Sequence, residues 1–135
     1  MEKVVIDGNE YDLADASDKA RQQYEAFLMT AAEIDDIKKK IAIAETARLA
    51  FEREVIGGLP EVAHKTVNGE ETLEVQGKRY RLNDFGDEEK MAIESLRGCD
   101  IRLTTLRVEF AIATTALSAY SNATIKELGV TAKRG

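Results

Sequence analysis

Along two long stretches of the chain, apolar residues recur at a spacing close to 3.5. Tyr24, Phe27, Ala31, Ile34, Ile37, Ile41, Ala44, Phe51 and Val55 form one seam, with Arg48 as a polar lapse. Ile93, Leu96, Cys99, Leu103, Leu106, Phe110, Ala113, Leu117 and Tyr120 form the other. Such stripes predict two long helices, each burying one face in coiled-coil fashion. Upstream of each stripe the pattern shortens to strands. Lys3–Ile6 and Glu10–Leu13 flank Asp7-Gly8-Asn9, while Thr72–Val75 and Lys78–Leu82 flank Gln76-Gly77. Both read as hairpins with turn residues suited to positive φ. A further strand is expected over Val62–Val67, running into Asn68-Gly69, which would make the second hairpin a three-stranded meander.

Local signals mark the helix ends. Ser17 or Asp15 can accept a hydrogen bond from the free amides of the first turn, and Asp18 complements the positive dipole end. Asp84, with Asp87, Glu88 and Glu89 behind it, is expected to do the same for the second helix. The first helix should stop at Gly57-Gly58, with Pro60 just beyond. A helix spanning Asp18–Ile56 needs a partner along its length, because isolated helices are marginal in water. Ala42, Ala44, Ala47 and Ala50, mirrored by Ala111, Ala113, Ala116 and Ala119, place small side chains on more than one helix face. Close approach to two neighbours follows, and a four-helix dimer with hairpins at its ends would provide both.

The two halves repeat. An offset of 69 carries Gly8, Tyr11, Leu13, Asp15 and Asp18 onto Gly77, Tyr80, Leu82, Asp84 and Asp87, and "AIAETARLAF" (Ala42–Phe51) onto "AIATTALSAY" (Ala111–Tyr120), without a gap. Roughly a quarter of the positions from Val4 to Ile56 are identical to their partners. Ala-rich helices resemble one another easily, but the same register also aligns a turn glycine, a tyrosine, a leucine and two acids. An internal duplication is therefore expected. The expected organisation is a hairpin–helix repeat over 1–58, a linker and extra strand over 59–72, a second repeat over 73–128 and a flexible tail over 129–135, all in one co-folded unit. The fold class is α+β, mostly α, completed by oligomerisation.

The 135-residue chain carries 19 Lys and Arg against 25 Asp and Glu, a net charge of −6. That balance argues against binding duplex nucleic acid, which needs a cationic surplus on one face. Cys99 is the single cysteine, so no internal disulfide can form, which points to a reducing compartment or to indifference to redox state. No stretch approaches ~18 apolar residues, and no charged leader precedes an apolar segment, so neither a membrane span nor a signal peptide is expected. The expectation is a cytoplasmic protein, whether in a cell or in a virus-infected cell.

Catalytic signatures are scarce. The sequence contains no Gly-rich phosphate loop, no HExxH, no paired CxxC and no nucleophile elbow. His64, the only histidine, falls in an expected surface strand, and Cys99 falls on the apolar seam, where a thiol acts as a small hydrophobe. Glu33, Asp35 and Asp36 fan around a helix beside Lys38, Lys39 and Lys40 and read as a solvated, ion-paired face. The Asn122-Ala123-Thr124 sequon reads as accidental. No catalytic residue, metal or cofactor is expected.

One basic concentration stands out. Lys78, Arg79 and Arg81, with Arg21 or Lys90 and His64 and Lys65 nearby, reverse the charges of the first hairpin: "GNEYDL" (Gly8–Leu13) becomes "GKRYRL" (Gly77–Leu82). Strand alternation puts Arg79 and Arg81 on one face and Tyr80 and Leu82 on the other; Glu10 and Asp12 likewise lie opposite Tyr11 and Leu13. Two readings compete. In one, the acidic and basic faces meet, within a chain or across subunits, and select which hairpins pair. In the other, Arg79, Arg81 and Tyr80 bind a small anion such as a nucleotide phosphate, with the ring as a stacking platform. A solvated edge that discourages aggregation is a third possibility.

The segments "VVIDGNEYDLADASDKARQQ" (Val4–Gln23) and "IAIAETARLAFEREV" (Ile41–Val55) resemble a family of short uncharacterised bacterial and phage proteins. Members begin with an IDGxEYDL-type hairpin and end in an Ala-rich TARxAY helix. The resemblance covers residues 4–56 and, more loosely, 73–125. It implies a bacterial or phage accessory setting and supplies no catalytic residues. The second half departs from the pattern where Arg79 and Arg81 replace acids and Gly86 replaces the serine. The expected function is non-enzymatic, stoichiometric binding to itself and to another protein, most concretely as a phage accessory inhibitor of a host defence factor. The alternatives are a protein that sequesters a nucleotide-type second messenger and a structural or assembly component.

Overall fold

The computed structural model describes residues 3–6, 9–12, 16–61, 63 and 71–134, without the side chains of Val4, Ile6, Asn9 and residues 129–134. Helices dominate, with two small antiparallel hairpins, so the chain is α+β and mostly α. Strand β1 (Lys3–Ile6) pairs with β2 (Asn9–Asp12), and helix α1 (Asp18–Gly57) follows. Strand β3 (Thr72–Val75) then pairs with β4 (Lys78–Arg81), a 3₁₀ turn spans Leu82–Asp84, and helix α2 runs over Asp87–Arg134. Every strand and helix of the second half begins 69 residues after its counterpart: 3 and 72, 9 and 78, 18 and 87. The pairing registers shift together, Lys3↔Asp12 becoming Thr72↔Arg81.

The local reasons are specific. Gln76 and Gly77 both have positive φ, 53° and 79°, which matches the right-handed strand twist in a two-residue hairpin. Ser17 caps α1: its Oγ accepts a hydrogen bond from the Ala20 amide at 3.1 Å. At α2 the local geometry differs from that at α1. Asp84 lies in the 3₁₀ turn, and Gly86 holds the cap position, its carbonyl accepting from the Lys90 amide at 2.9 Å. Phe85, between the turn and the helix in sequence, is buried in the core of its unit. α1 ends as expected, with the Gly58 amide donating to the Val55 carbonyl at 3.2 Å. A Cβ on Gly58 would collide with the Glu89 carboxylate, so the exit from α1 is packed against the first turn of α2. α2 continues through Gly129 to Arg134, where a tail was expected. Asp7-Gly8, Leu13, Asp15, the Asn68-Gly69 turn and all but Ala63 of the strand expected over Val62–Val67 lie outside the described residues.

The chain divides into two compact units that cut across the sequence repeats. One comprises Met1–Lys39 with Leu106–Gly135, the other Lys40–Thr105. Each unit therefore holds one hairpin, the start of the helix that follows it and the end of the other helix. In the first, Ala20 and Leu128 are buried together, with Tyr11, Ala16, Tyr24 and Ile125 packed around them. Lys19 pairs with Glu127 at 3.4 Å beside this cluster. In the second, Val55, Tyr80, Phe85, Ala92 and Ile93 form the core, flanked by Phe51, Leu59, Leu73, Val75 and Leu82. In both, rising numbers on α1 meet falling numbers on α2, so the helix segments pair antiparallel within one chain.

Seam positions expected from the 3.5 spacing are buried or half-buried throughout. Buried positions also repeat: Ile34, Ile37, Ala44 and Val55 correspond, 69 residues on, to Leu103, Leu106, Ala113 and Thr124, all buried. Thr124 is the only polar residue among the described buried positions, and its hydroxyl donates to the Tyr120 carbonyl at 2.7 Å. That bond satisfies the hydroxyl without a tertiary partner. The clusters balance volume differently at matched positions: Ala16 with Tyr24 in one, Phe85 with Ile93 in the other. Close packing tolerates such exchanges when the total is kept.

Truncating Ile93 or Leu106 to Ala is expected to cost about 2–5 kcal/mol, read from the midpoint of urea unfolding. Thr124→Val, which copies Val55 and keeps the shape, is expected to change stability by less than about 0.5 kcal/mol or to raise it. A large loss at Thr124 would show that its hydroxyl has a tertiary role.

Candidate interaction surfaces

The hairpin residues divide by strand face. On β4, Lys78 and Arg79 are exposed and Arg81 is half-buried, while Tyr80 is 6% exposed. The Tyr80 ring meets Phe85 edge to face at a centroid distance of 6.0 Å, within the core of its unit. The expected stacking platform is therefore corrected: this ring packs inward beside Leu73 and offers no open face to a ligand. On β2, Glu10 is exposed, Asp12 is half-buried and Tyr11 packs on the Ala20–Leu128 cluster.

The registers also give each hairpin an internal charge partner. Glu74 stands directly across from Arg79, and Lys3 directly across from Asp12. Opposite charges at such positions stabilise a ladder by tenths of a kcal/mol. The reversal from acidic β2 to basic β4 is thus accompanied by a change in the facing strand, from Val5 to Glu74 opposite the first position and from Lys3 to Thr72 opposite the second. His64 and Lys65 lie outside the described residues.

Glu33, Asp35 and Asp36 are exposed on α1, and among the described residues no group of acids, His or Cys is placed to hold a metal ion. No helix of the described residues is long and apolar enough to cross a membrane.

Arg48, the lapse in the first seam, is half-buried and paired. Its Nε donates to Asp100 Oδ1 across the helices at 2.6 Å, and its Nη1 donates to Glu52 Oε2 at 2.8 Å. The Asp100 hydrogen bond, reinforced by the charges of Asp100 and Glu52, holds the guanidinium above its usual range. A cation stabilised in this way keeps its proton until pH rises through its raised folded value, far above neutrality, so Arg48 stays charged at any working pH. The equivalent positions 69 residues away are Leu117 and Ala31, an apolar combination.

Beside this pair, in the unit Lys40–Thr105, an open groove of about 490 Å³ runs between the helix segments. α1 contributes Lys40, Ile43, Ala44 and Phe51; α2 contributes Ser95, Gly98, Cys99 and Arg102. The floor is apolar and the two charged lining residues are cations. Gly98 sits in the helix interior, and a Cβ there would meet nothing within 4 Å. A helix-interior glycine costs about 1 kcal/mol relative to alanine, so intrachain packing gives no reason for it.

The other unit presents the same surface with its charges reversed. The positions equivalent to Lys40 and Arg102 are Glu109 and Glu33, both exposed like their counterparts. Ile43 is matched by Ile112, at 70% and 64% exposure. Ala44 is matched by Ala113 and Phe51 by Tyr120, with the same burial class in each pair. Gly98 is matched by Met29, which is 73% exposed. In the sequence Glu33 and Lys40 read only as part of a solvated face, and Met29, Gly98, Arg102 and Glu109 carried no separate signal. Reading charge at the repeat offset along the helices, as was done for the hairpins, would have marked Lys40/Glu109 and Glu33/Arg102.

No protein-family model, curated protein or solved structure matches the chain.

A double substitution tests the seam. Arg48→Leu with Asp100→Ala copies the apolar pair of the other unit and is expected to be neutral or stabilising in urea unfolding. Either single change should cost up to about 1 kcal/mol, and the coupling should shrink at high salt, as expected for a partly exposed pair. A double variant less stable than both singles would contradict this account.

Proposed function

We propose that this chain is a non-enzymatic interaction protein: a tandem duplication of a hairpin–helix unit that self-associates and acts by stoichiometric binding to another protein. The observation that carries the reading is large apolar side chains left exposed on the helices. Met29, Ile43, Met91, Ile101, Val108 and Ile112 are each more than half exposed, although intrachain pairing already buries the seam. Exposed apolar side chains of this size on helix faces are surface that a protein partner can cover with gain.

The duplication reading is supported by coincidence of element starts, strand registers and buried positions at one offset. In this reading the fused halves stand in for two copies of an ancestral single unit. The resemblance of residues 4–56 to short bacterial and phage proteins makes an accessory inhibitor of a host defence factor, working in the cytoplasm, the most concrete form of the proposal. The second-messenger alternative loses support from the inward packing of Tyr80.

The test is to capture partners from a bacterial lysate with the full chain, then reconstitute the complex from purified components. A fixed integer stoichiometry by light scattering is expected, with the partner chemically unchanged. Linear and cyclic nucleotides should leave the thermal midpoint unmoved. Turnover of a nucleotide or peptide that tracks a point substitution in this chain would refute the proposal.

A further inference from the structure

We propose that the groove of the unit Lys40–Thr105 is filled by a second copy of this chain, which inserts the equivalent surface of its other unit, with Met29 entering the space above Gly98. The assignment rests on the self-association included in the proposed function and names the surface that carries it. Two independent features point to this occupant.

The first is shape. At matched positions one surface lacks a side chain, at Gly98, and the other projects a flexible one, Met29. The glycine leaves open space rather than relieving an internal contact. An unbranched thioether side chain is suited to filling an irregular apolar gap. Ile43 and Ile112 extend the apolar contact on either side of that point.

The second is charge. Lys40 and Arg102 rim the groove, while Glu33 and Glu109 rim its counterpart. Docking one surface on the other sets cations against carboxylates. Docking groove on groove would set like charges together, as would counterpart on counterpart. Like-charge contact disfavours these alternatives, so the charge pattern selects the mixed contact. The same logic disfavours an unrelated basic partner in the groove.

Two variants test this together. In one, Lys40→Glu and Arg102→Glu make both surfaces acidic; in the other, Glu33→Arg and Glu109→Lys make both basic. All four positions are exposed, so folding should survive, checked by circular dichroism and thermal melting. Light scattering over a micromolar-to-millimolar dilution series should show that the wild type associates and that each variant alone does so at least about tenfold more weakly. Mixing the two variants should restore association, because each acidic groove then meets a basic counterpart. Wild-type protein that stays monomeric over the series overturns both this assignment and the self-association in the proposed function. An oligomer that neither variant weakens, or variants that fail to recover on mixing, overturns this assignment alone.

Discussion

Antiparallel pairing of the start of one helix with the end of the other is the contact on which everything else depends. Two small hairpins without a helix to cover would be marginal in water. Long helices without a partner would expose their apolar stripes. Each unit meets both needs at once: the inward face of its hairpin, carrying Tyr11 or Tyr80, closes over the point where one helix begins and the other finishes. The buried seam of Ile34, Ile37 and Ala44 on α1 and Leu103, Leu106 and Ala113 on α2 then positions the outward residues. Exposure of Ile43 and Met29 follows from which face the seam has already taken.

Much of this was legible from residues acting locally. Ser17 caps α1 through its own hydroxyl, Gly57-Gly58 ends it, and Gln76-Gly77 turns the second hairpin, because each of these signals operates within a few residues. The 3.5 spacing identified the buried stripes for the same reason. Tertiary choices were less legible. A stripe specifies a face without naming what covers it, so intrachain pairing and cross-subunit pairing fit the seam equally well. The acidic signal at Asp84 did not reveal the 3₁₀ turn over Leu82–Asp84, which leads into the core residue Phe85. Tyr80 could be placed on a strand face from alternation, but only the packing of Phe85 and Leu73 shows that this face turns inward.

The groove illustrates a different limit. Its residues are individually ordinary: a lysine, an arginine and a glycine in a charged helix. Their meaning comes from comparison with the other unit, where the same exposure pattern recurs with opposite charge and a methionine in place of the glycine. The hairpins show a related reversal, with Glu74 facing Arg79 and Lys3 facing Asp12. The two halves thus differ in charge at outward positions, while the strand registers and the burial of the seam positions correspond.

The Arg48–Asp100 pair has a consequence for partner choice among near-identical helices. Two halves this alike could also pair like with like, α1 on α1 or α2 on α2, as two chains meeting at equivalent registers. In the first case Arg48 would stand opposite Ala31, and in the second Asp100 opposite Leu117, each without the carboxylate or guanidinium that meets it now. Arg48 would keep Glu52 on its own helix, and for charges this exposed the lost contact is worth up to about 1 kcal/mol, forgone twice in an antiparallel like-with-like pair. A single polar contact of small net value in the native chain therefore tilts the choice toward pairing each helix with the other rather than with a second copy of itself.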